Sequence, residues 1–225
     1  MTARPEAILF DYGGTLAHMD PAEVGARVGT VRGVPPTVEQ VAEAHYRALA
    51  EFADGERMGT DPDWWPAWIR AFVSHLGADD AGEGPVTRLA MAEGIWTSVV
   101  PGAFATLQRL RAAGFRLAVI SNADGTVESR LRLTGLLPHF EFVIDSHLVG
   151  RSKPDPAIFA MALERMGVAP AAAWYVGDSP YHDVGGATAA GLAAAVLVDP
   201  FDLHPRYALR VATVADLPGL LPGPL

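Results

Sequence analysis

Short apolar runs that end in small or acidic residues recur along this 225-residue chain, and they constrain its fold more than any other feature. The first run, residues 7–10, ends in Asp11 and is followed by two glycines. A strand without polar residues must be buried on both faces, which is typical of a parallel sheet. Four similar runs follow, at residues 116–120, 140–144, 173–176 and 193–198.

Amphipathic helical patterns separate these runs and predict helices at residues 103–113, 125–133, 156–166 and 183–191. Strands that alternate with helices indicate right-handed crossovers and an open, Rossmann-like parallel sheet of the α/β class. Ligands of such sheets bind beyond the carboxyl ends of the strands. Asp11, Ser121 and Asp178 all fall at that edge in this interpretation.

Residues 16–99 interrupt the alternation. They contain helical patterns at residues 21–31, 37–52, 64–76 and 86–96, and no strand is predicted among them. We therefore predict an α/β core domain (residues 1–15 and 100–225) and an inserted all-helical cap domain (residues 16–99). The end of the chain, residues 217–225, is rich in Pro, Gly and Leu and is expected to be loosely held.

Composition excludes several classes of function. The chain has no cysteine, so disulfides, thiolate zinc sites and cysteine nucleophiles are impossible. The net charge is -9 and no basic stripe is visible, which argues against a nucleic-acid partner. No apolar run approaches the roughly 20 residues that span a bilayer, so no membrane partner is expected. The first strand follows Met1 so closely that we predict no signal peptide and a cytoplasmic protein; the oligomeric state stays open.

Two clusters at strand ends carry groups suited to an attack on an electrophile. Asp11 can act as a carboxylate nucleophile towards phosphorus or carbon, and the glycines behind it allow a ligand to approach the backbone. The Ser121 hydroxyl, followed by Asn122, can hold a phosphoryl oxygen with the help of nearby backbone N–H groups. Taken alone, each cluster is better explained as a helix cap or a turn.

Two later clusters supply charge. Lys153 is the only lysine of the chain and stands before a proline, so it is a candidate for a fixed cation beside a transferring group. Asp178 and Asp183 follow another strand, and paired carboxylates are hard oxygen donors that suit Mg²⁺. A capping role for either aspartate is the alternative.

In this order, the four clusters resemble the four motifs of the haloacid dehalogenase (HAD) superfamily, in residues 8–16, 120–122, 149–159 and 175–183. The insert lies where the helical cap lies in the subgroup that contains haloacid dehalogenases and phosphoglycolate-type phosphatases. The resemblance implies that Asp11 is the nucleophile and that Ser121 and Lys153 stabilise phosphoryl oxygens. It also implies a Mg²⁺ site and a set of substrate contacts. The metal ligands are expected to be Asp11, Gly13, Asp178 and Asp183, and the substrate contacts Gly14, Thr15 and Asn122.

Gly13 departs from the pattern, because phosphatases of this type usually carry an acid/base aspartate two residues after the nucleophile. General acid–base assistance is worth about 10²- to 10⁴-fold in rate. The possible substitutes are His18, Asp20 and His45.

The resemblance leaves three functions open. The first is a Mg²⁺-dependent phosphatase that acts on a small phosphorylated metabolite through an aspartyl-phosphate. The second is a metal-independent 2-haloacid dehalogenase, and the third is a catalytically weak binding or regulatory protein. Phosphonoacetaldehyde hydrolysis needs a cap lysine, which is absent here. Trp64, Trp65 and Trp68 are predicted to form the core of the cap, with a substrate-lining role as the alternative.

Overall fold

The computed structural model describes residues 4–53, 64–80, 82–92 and 94–223. Within this part of the chain, one parallel sheet has six strands: β1 (Ala7–Phe10), β4 (Arg116–Ser121), β5 (Val143–Asp145), β6 (Ala173–Gly177), β7 (Ala194–Val198) and β8 (Arg210–Val211). Their order in the sheet is β5-β4-β1-β6-β7-β8. The predicted α/β class is confirmed.

Strand β1 lies in the interior of the sheet, between β4 and β6. All four of its residues are fully buried. Phe10 is paired with Val119 of β4 and Val176 of β6, so the residues that follow the three strands meet at one sheet edge. Five helices follow the later strands of the fold: α5 (Ala103–Ala112), α6 (Val127–Leu133), α7 (Ser146–Val149), α8 (Pro156–Met166) and α9 (Gly186–Ala189).

The segment between β1 and α5 forms a helical cap, as predicted. Its helices are α1 (Pro21–Val28), α2 (Val38–Ala50), α3 (Trp64–Leu76) and α4 (Glu83–Ala90). They share an apolar cluster that includes Val24, Val41 and Phe72 and is separate from the clusters on the two sheet faces. Helix α2 begins at a capping box in which Thr37 and Gln40 satisfy each other's backbone N–H groups. The limits of the cap at residues 16 and 99 stay a prediction.

The prediction of no strand in this segment was wrong at its two ends. Strand β2 (Ala17–Met19) pairs antiparallel with β3 (Trp96–Val99). The helix predicted at residues 86–96 ends at Ala90, and its last predicted residue lies in β3. Three or four residues are too few to show a period of two, so such strands carry little signal.

Three smaller expectations also need correction. The strand expected at residues 140–144 is Val143–Asp145, and the helix expected at 183–191 is a π-helical turn (Pro180–Gly185) followed by α9. The tail is not loose throughout, because Leu217 and Leu221 are buried against the core; residues 224–225 lie outside the described part. In the described residues, no helix has the length and apolarity needed to cross a membrane.

Candidate active site

The side chain of Lys153 connects two of the predicted carboxylates. Its Nζ donates hydrogen bonds to Oδ1 of Asp11 at 2.6 Å and to Oδ1 of Asp183 at 2.7 Å. A third bond, of 2.9 Å, goes to the hydroxyl of Tyr175, which itself donates to the carbonyl oxygen of Ile120. All three protons of the ammonium group are therefore used, and the lysine is only 3% exposed.

Asp11, Asp178 and Asp183 form a buried cluster of carboxylates. One oxygen from each lies within 4.8 Å of the others. Asp183 is fixed from its other side, since its Oδ2 accepts the backbone N–H of Ser179 at 2.8 Å. Gly177, at the end of β6, makes room for this carboxylate, because a Cβ there would lie 2.3 Å from Cγ of Asp183.

Burial dominates the electrostatics of this cluster. It raises the pKa of Asp11 to about 7; Lys153 opposes the rise, and the charges of Asp183 and Asp178 add to it. Burial also raises the pKa of Asp178 well above its ordinary value, with Asp183 adding to the effect. Burial alone would lower the pKa of Lys153, but Asp11 and Asp183 raise it, so the lysine stays charged. Three carboxyl groups around one lysine therefore disfavour ionisation of all three unless a further cation is bound.

A cap residue reaches this cluster. Nε2 of His45 on α2 lies 2.5 Å from Oδ2 of Asp178, and both side chains are buried. Gly14 permits the approach: its φ is +76°, and a Cβ there would lie 1.9 Å from Oδ2 of Asp178 and 2.4 Å from Nε2 of His45. Tyr46, which follows His45 on α2, donates a hydrogen bond from its hydroxyl to the carbonyl oxygen of Gly14. Helix α2 thus binds both the Asp11 loop and the end of β6.

A cavity of about 600 Å³ opens above Asp11 and is lined by Ser121, Asn122 and Lys153, among others. Ser121 is the last residue of β4 and is buried. The amide of Asn122 exchanges two bonds of 2.8 Å with the backbone N–H and carbonyl of Lys153. Its evident structural effect is to hold the lysine loop in place, and its predicted contact with substrate stays a prediction.

The Asp11 loop places its next residues differently. Gly13 and Tyr12 line the cavity, whereas Gly14 lies where His45 approaches Asp178. Thr15 is fully buried, and its hydroxyl has no hydrogen-bond partner among the described residues. Substrate contacts by Gly14 and Thr15 therefore stay untested predictions. A Cβ on Gly13 would lie 3.2 Å from the ring of Trp96, so this ring occupies the space beside the missing aspartate.

Of the three suggested substitutes for that aspartate, only His45 lines the cavity. Asp20 instead caps α1 by accepting the N–H groups of Ala22 and Glu23. His18 is buried against the ring of Tyr46.

Two residues of the site, Tyr175 and Trp96, could not be recognised from the sequence. Tyr175 lies inside an apolar strand pattern, where a buried tyrosine is ordinary. Trp96 lies in a strand that the pattern did not reveal. The three tryptophans of α3 combine the two predicted locations, the cap core and the cavity lining. Trp68 is buried in the cap core, and all three line the cavity.

Comparison with known proteins agrees with this geometry. The family model for haloacid dehalogenase-like hydrolases matches residues 5–191. The haloacid dehalogenase-like hydrolase domain-containing protein 3 of Bos taurus is 33% identical over 187 residues, which are 81% of this chain and 74% of that protein. A phosphoglycolate phosphatase of Rhodospirillum rubrum is 31% identical over 223 residues, 94% of this chain and 87% of that protein.

A solved structure of a dehalogenase with an intermediate complex is 24% identical and superposes with a TM-score of 0.66. The superposition covers 99% of this chain and 100% of that one, and at this identity it shows the fold alone. Together with the family match over most of its length, the shared fold and the buried carboxylate cluster establish that this chain belongs to the haloacid dehalogenase-like hydrolases.

Proposed function

We propose that the protein is a Mg²⁺-dependent phosphatase that hydrolyses a small phosphorylated metabolite through an aspartyl-phosphate on Asp11. The observation that carries the proposal is the buried cluster of three carboxylates around one fully bonded lysine. Relatives named phosphoglycolate phosphatase and phosphoserine phosphatase support a phosphoryl substrate.

The donor set fits Mg²⁺. When all three carboxylates are ionised, they exceed the charge of Lys153 by two negative charges, which a divalent cation would offset. Carboxylates with room for water and phosphate oxygens are the environment that this ion prefers. Asp11, Asp178 and Asp183 would hold it, with the carbonyl of Gly13 as a further proposed ligand. When bound, the metal would shield the negative charge between nucleophile and phosphate.

The residues of the chain then have separate tasks. A carboxylate oxygen of Asp11 attacks phosphorus, the P–O bond to the alcohol breaks, and the departing oxygen takes a proton from a water molecule in the cavity. Lys153 and Ser121 hold the phosphoryl oxygens and stabilise their developing charge. Water then hydrolyses the aspartyl-phosphate, which releases inorganic phosphate and restores Asp11.

The test is phosphate release from a panel of phosphorylated metabolites, with Mg²⁺ and with EDTA. We expect release only with Mg²⁺ and none from Asp11→Asn, whereas Asp80→Asn, an exposed cap aspartate, behaves like the wild type. Release by Asp11→Asn at the wild-type rate excludes the proposed nucleophile. Halide release from 2-haloacids in EDTA, without phosphate release, would instead assign chemistry at carbon.

A further inference from the structure

One part of the cavity lining is aromatic. Helix α3 contributes Trp64, Trp65 and Trp68, and β3 contributes Trp96. We refer to these four tryptophans as the tryptophan wall. From the core side, Tyr181 lines the same cavity. An opening of about 600 Å³ is within the ordinary range for small-molecule sites, so the wall has space to face a ligand.

The packing of the cap explains only part of this wall. Trp68 is 3% exposed and stacks on Phe72, so it belongs to the cap core. Trp65 lies flat on Trp68, with ring centroids 4.9 Å apart and planes 7° apart, yet it remains 38% exposed. Trp64 meets Trp65 edge to face at 5.7 Å. A tryptophan face left open inside a cavity is a surface on which another ring can stack.

The distribution of charge around the cavity also favours an aromatic leaving group. Among the described residues that line it, the cationic side chains are Lys153 and Arg130, and both come from the core. Lys153 lies at the Asp11 end, where the proposed function assigns it to the phosphate, and Arg130 is paired with Asp124 at 2.6 Å. The described cap residues that line the cavity include no lysine or arginine, so a carboxylate on the leaving group would meet tryptophan rings there and no cation.

We propose that the substrate is a phosphate monoester whose alcohol carries an aromatic or heteroaromatic ring, which stacks against the tryptophan wall while its phosphate lies at Asp11. The inference rests on the proposed phosphatase function and specifies its substrate class. The chemistry that recognises such a substrate is ring stacking at one end and charge at the other.

The experiment compares kcat/KM for 2-phenylethyl phosphate, n-butyl phosphate and phosphoglycolate in the presence of Mg²⁺. The first two esters have alcohols of similar acidity, so their ratio reports recognition of the ring. We expect a preference of about tenfold for the aromatic ester, the effect of one good ring contact. In Trp65→Leu this ratio falls towards one, whereas Phe104→Leu, which removes an exposed aromatic residue outside the cavity, keeps it.

A binding measurement separates this inference from the proposed function. In Asp11→Asn, 2-phenylethyl phosphate should quench tryptophan fluorescence at lower concentration than n-butyl phosphate, and Trp65→Leu in that background should remove the difference. If no ester is hydrolysed but the aromatic ester binds better, the phosphatase proposal fails and the ring site stands. If all three are hydrolysed with equal efficiency, or phosphoglycolate is preferred, the ring site is overturned and the phosphatase proposal stands.

Discussion

Nε2 of His45, on cap helix α2, lies 2.5 Å from Oδ2 of Asp178, which follows core strand β6. The two residues are 133 positions apart in the chain, and both are buried. Burial lowers the pKa of His45 to about 4, so the imidazole is neutral at neutral pH and contributes a hydrogen bond and no charge. The cap thereby holds a proposed metal ligand in one orientation.

Removal of this contact should weaken the proposed metal site. We expect His45→Ala to lower Mg²⁺ affinity or kcat by about 10- to 100-fold, because outer partners fix the orientation of ligating carboxylates. His45→Gln, whose amide keeps a hydrogen-bonding group near the position of Nε2, should recover part of the loss. Titration calorimetry with Mg²⁺ and phosphate-release kinetics give the two values. Equal Mg²⁺ affinity and equal kcat in His45→Ala and wild type would contradict the positioning role.

Gly14 should tolerate no side chain, for two separable reasons. Its φ of +76° disfavours any L-residue, and a Cβ would lie 1.9 Å from Oδ2 of Asp178. Gly33 is a matched control: its φ is +77°, and a Cβ there would meet none of the described residues within 4 Å. We expect Gly33→Ala to cost about 1–2 kcal/mol in the free energy of unfolding, and Gly14→Ala to cost more and to abolish activity. Urea unfolding checks the first quantity; equal losses in the two variants would mean that the clash is relieved.

The sheet and its edge could be predicted from the sequence because they depend on local patterns and one topological rule. Apolar runs that end in Asp11, Ser121 and Gly177 indicate parallel strands, and the carboxyl ends of neighbouring parallel strands must meet. The strand order, which the pattern does not specify, then places β6 beside β1 and brings Asp178 towards Asp11. Lys153 was conspicuous because every other basic side chain among the 17 is an arginine.

The cap side of the site could not be predicted in the same way. His45 reaches Asp178 only because α2 packs over the sheet edge, and nothing in the helical pattern of residues 37–52 specifies that placement. Trp96 lies in a strand of four residues whose partner, β2, is 77 positions or more away in the chain, so its pairing depends on closure of the whole insert. The aromatic wall and the space beside Gly13 follow from tertiary packing.

Lys153 should contribute strongly to the free energy of unfolding when no metal is bound. Lys153→Met leaves Asp11 and Asp183 buried without their cation, and breaking a buried ion pair from one side costs about 3–5 kcal/mol. Mg²⁺ should restore more stability to this variant than to the wild type, because it offsets the same carboxylates. Urea unfolding in EDTA and in excess Mg²⁺ measures both effects. Arg151→Met, which removes an exposed cation two residues away, should change stability by less than about 0.5 kcal/mol; a similar small loss in Lys153→Met would contradict the prediction.

Gly13→Asp would place an acid/base carboxyl two residues after Asp11, where the family resemblance leads us to expect one, but Trp96 occupies the adjacent space. A Cβ at position 13 would lie 3.2 Å from the indole, so the carboxyl group of a longer side chain has little room to turn towards the cavity. We therefore expect Gly13→Asp alone to give no increase in kcat. The double variant Gly13→Asp/Trp96→Leu should increase kcat, within the bound of about 10²- to 10⁴-fold for acid–base assistance.

Gly13→Ala/Trp96→Leu controls for the change in volume without a carboxyl. Steady-state phosphate release from n-butyl phosphate, whose alcohol needs a proton to leave, is the measurement. A gain in Gly13→Asp alone would show that the indole moves aside, and equal rates in the two double variants would show that a carboxyl at this position does not serve the reaction.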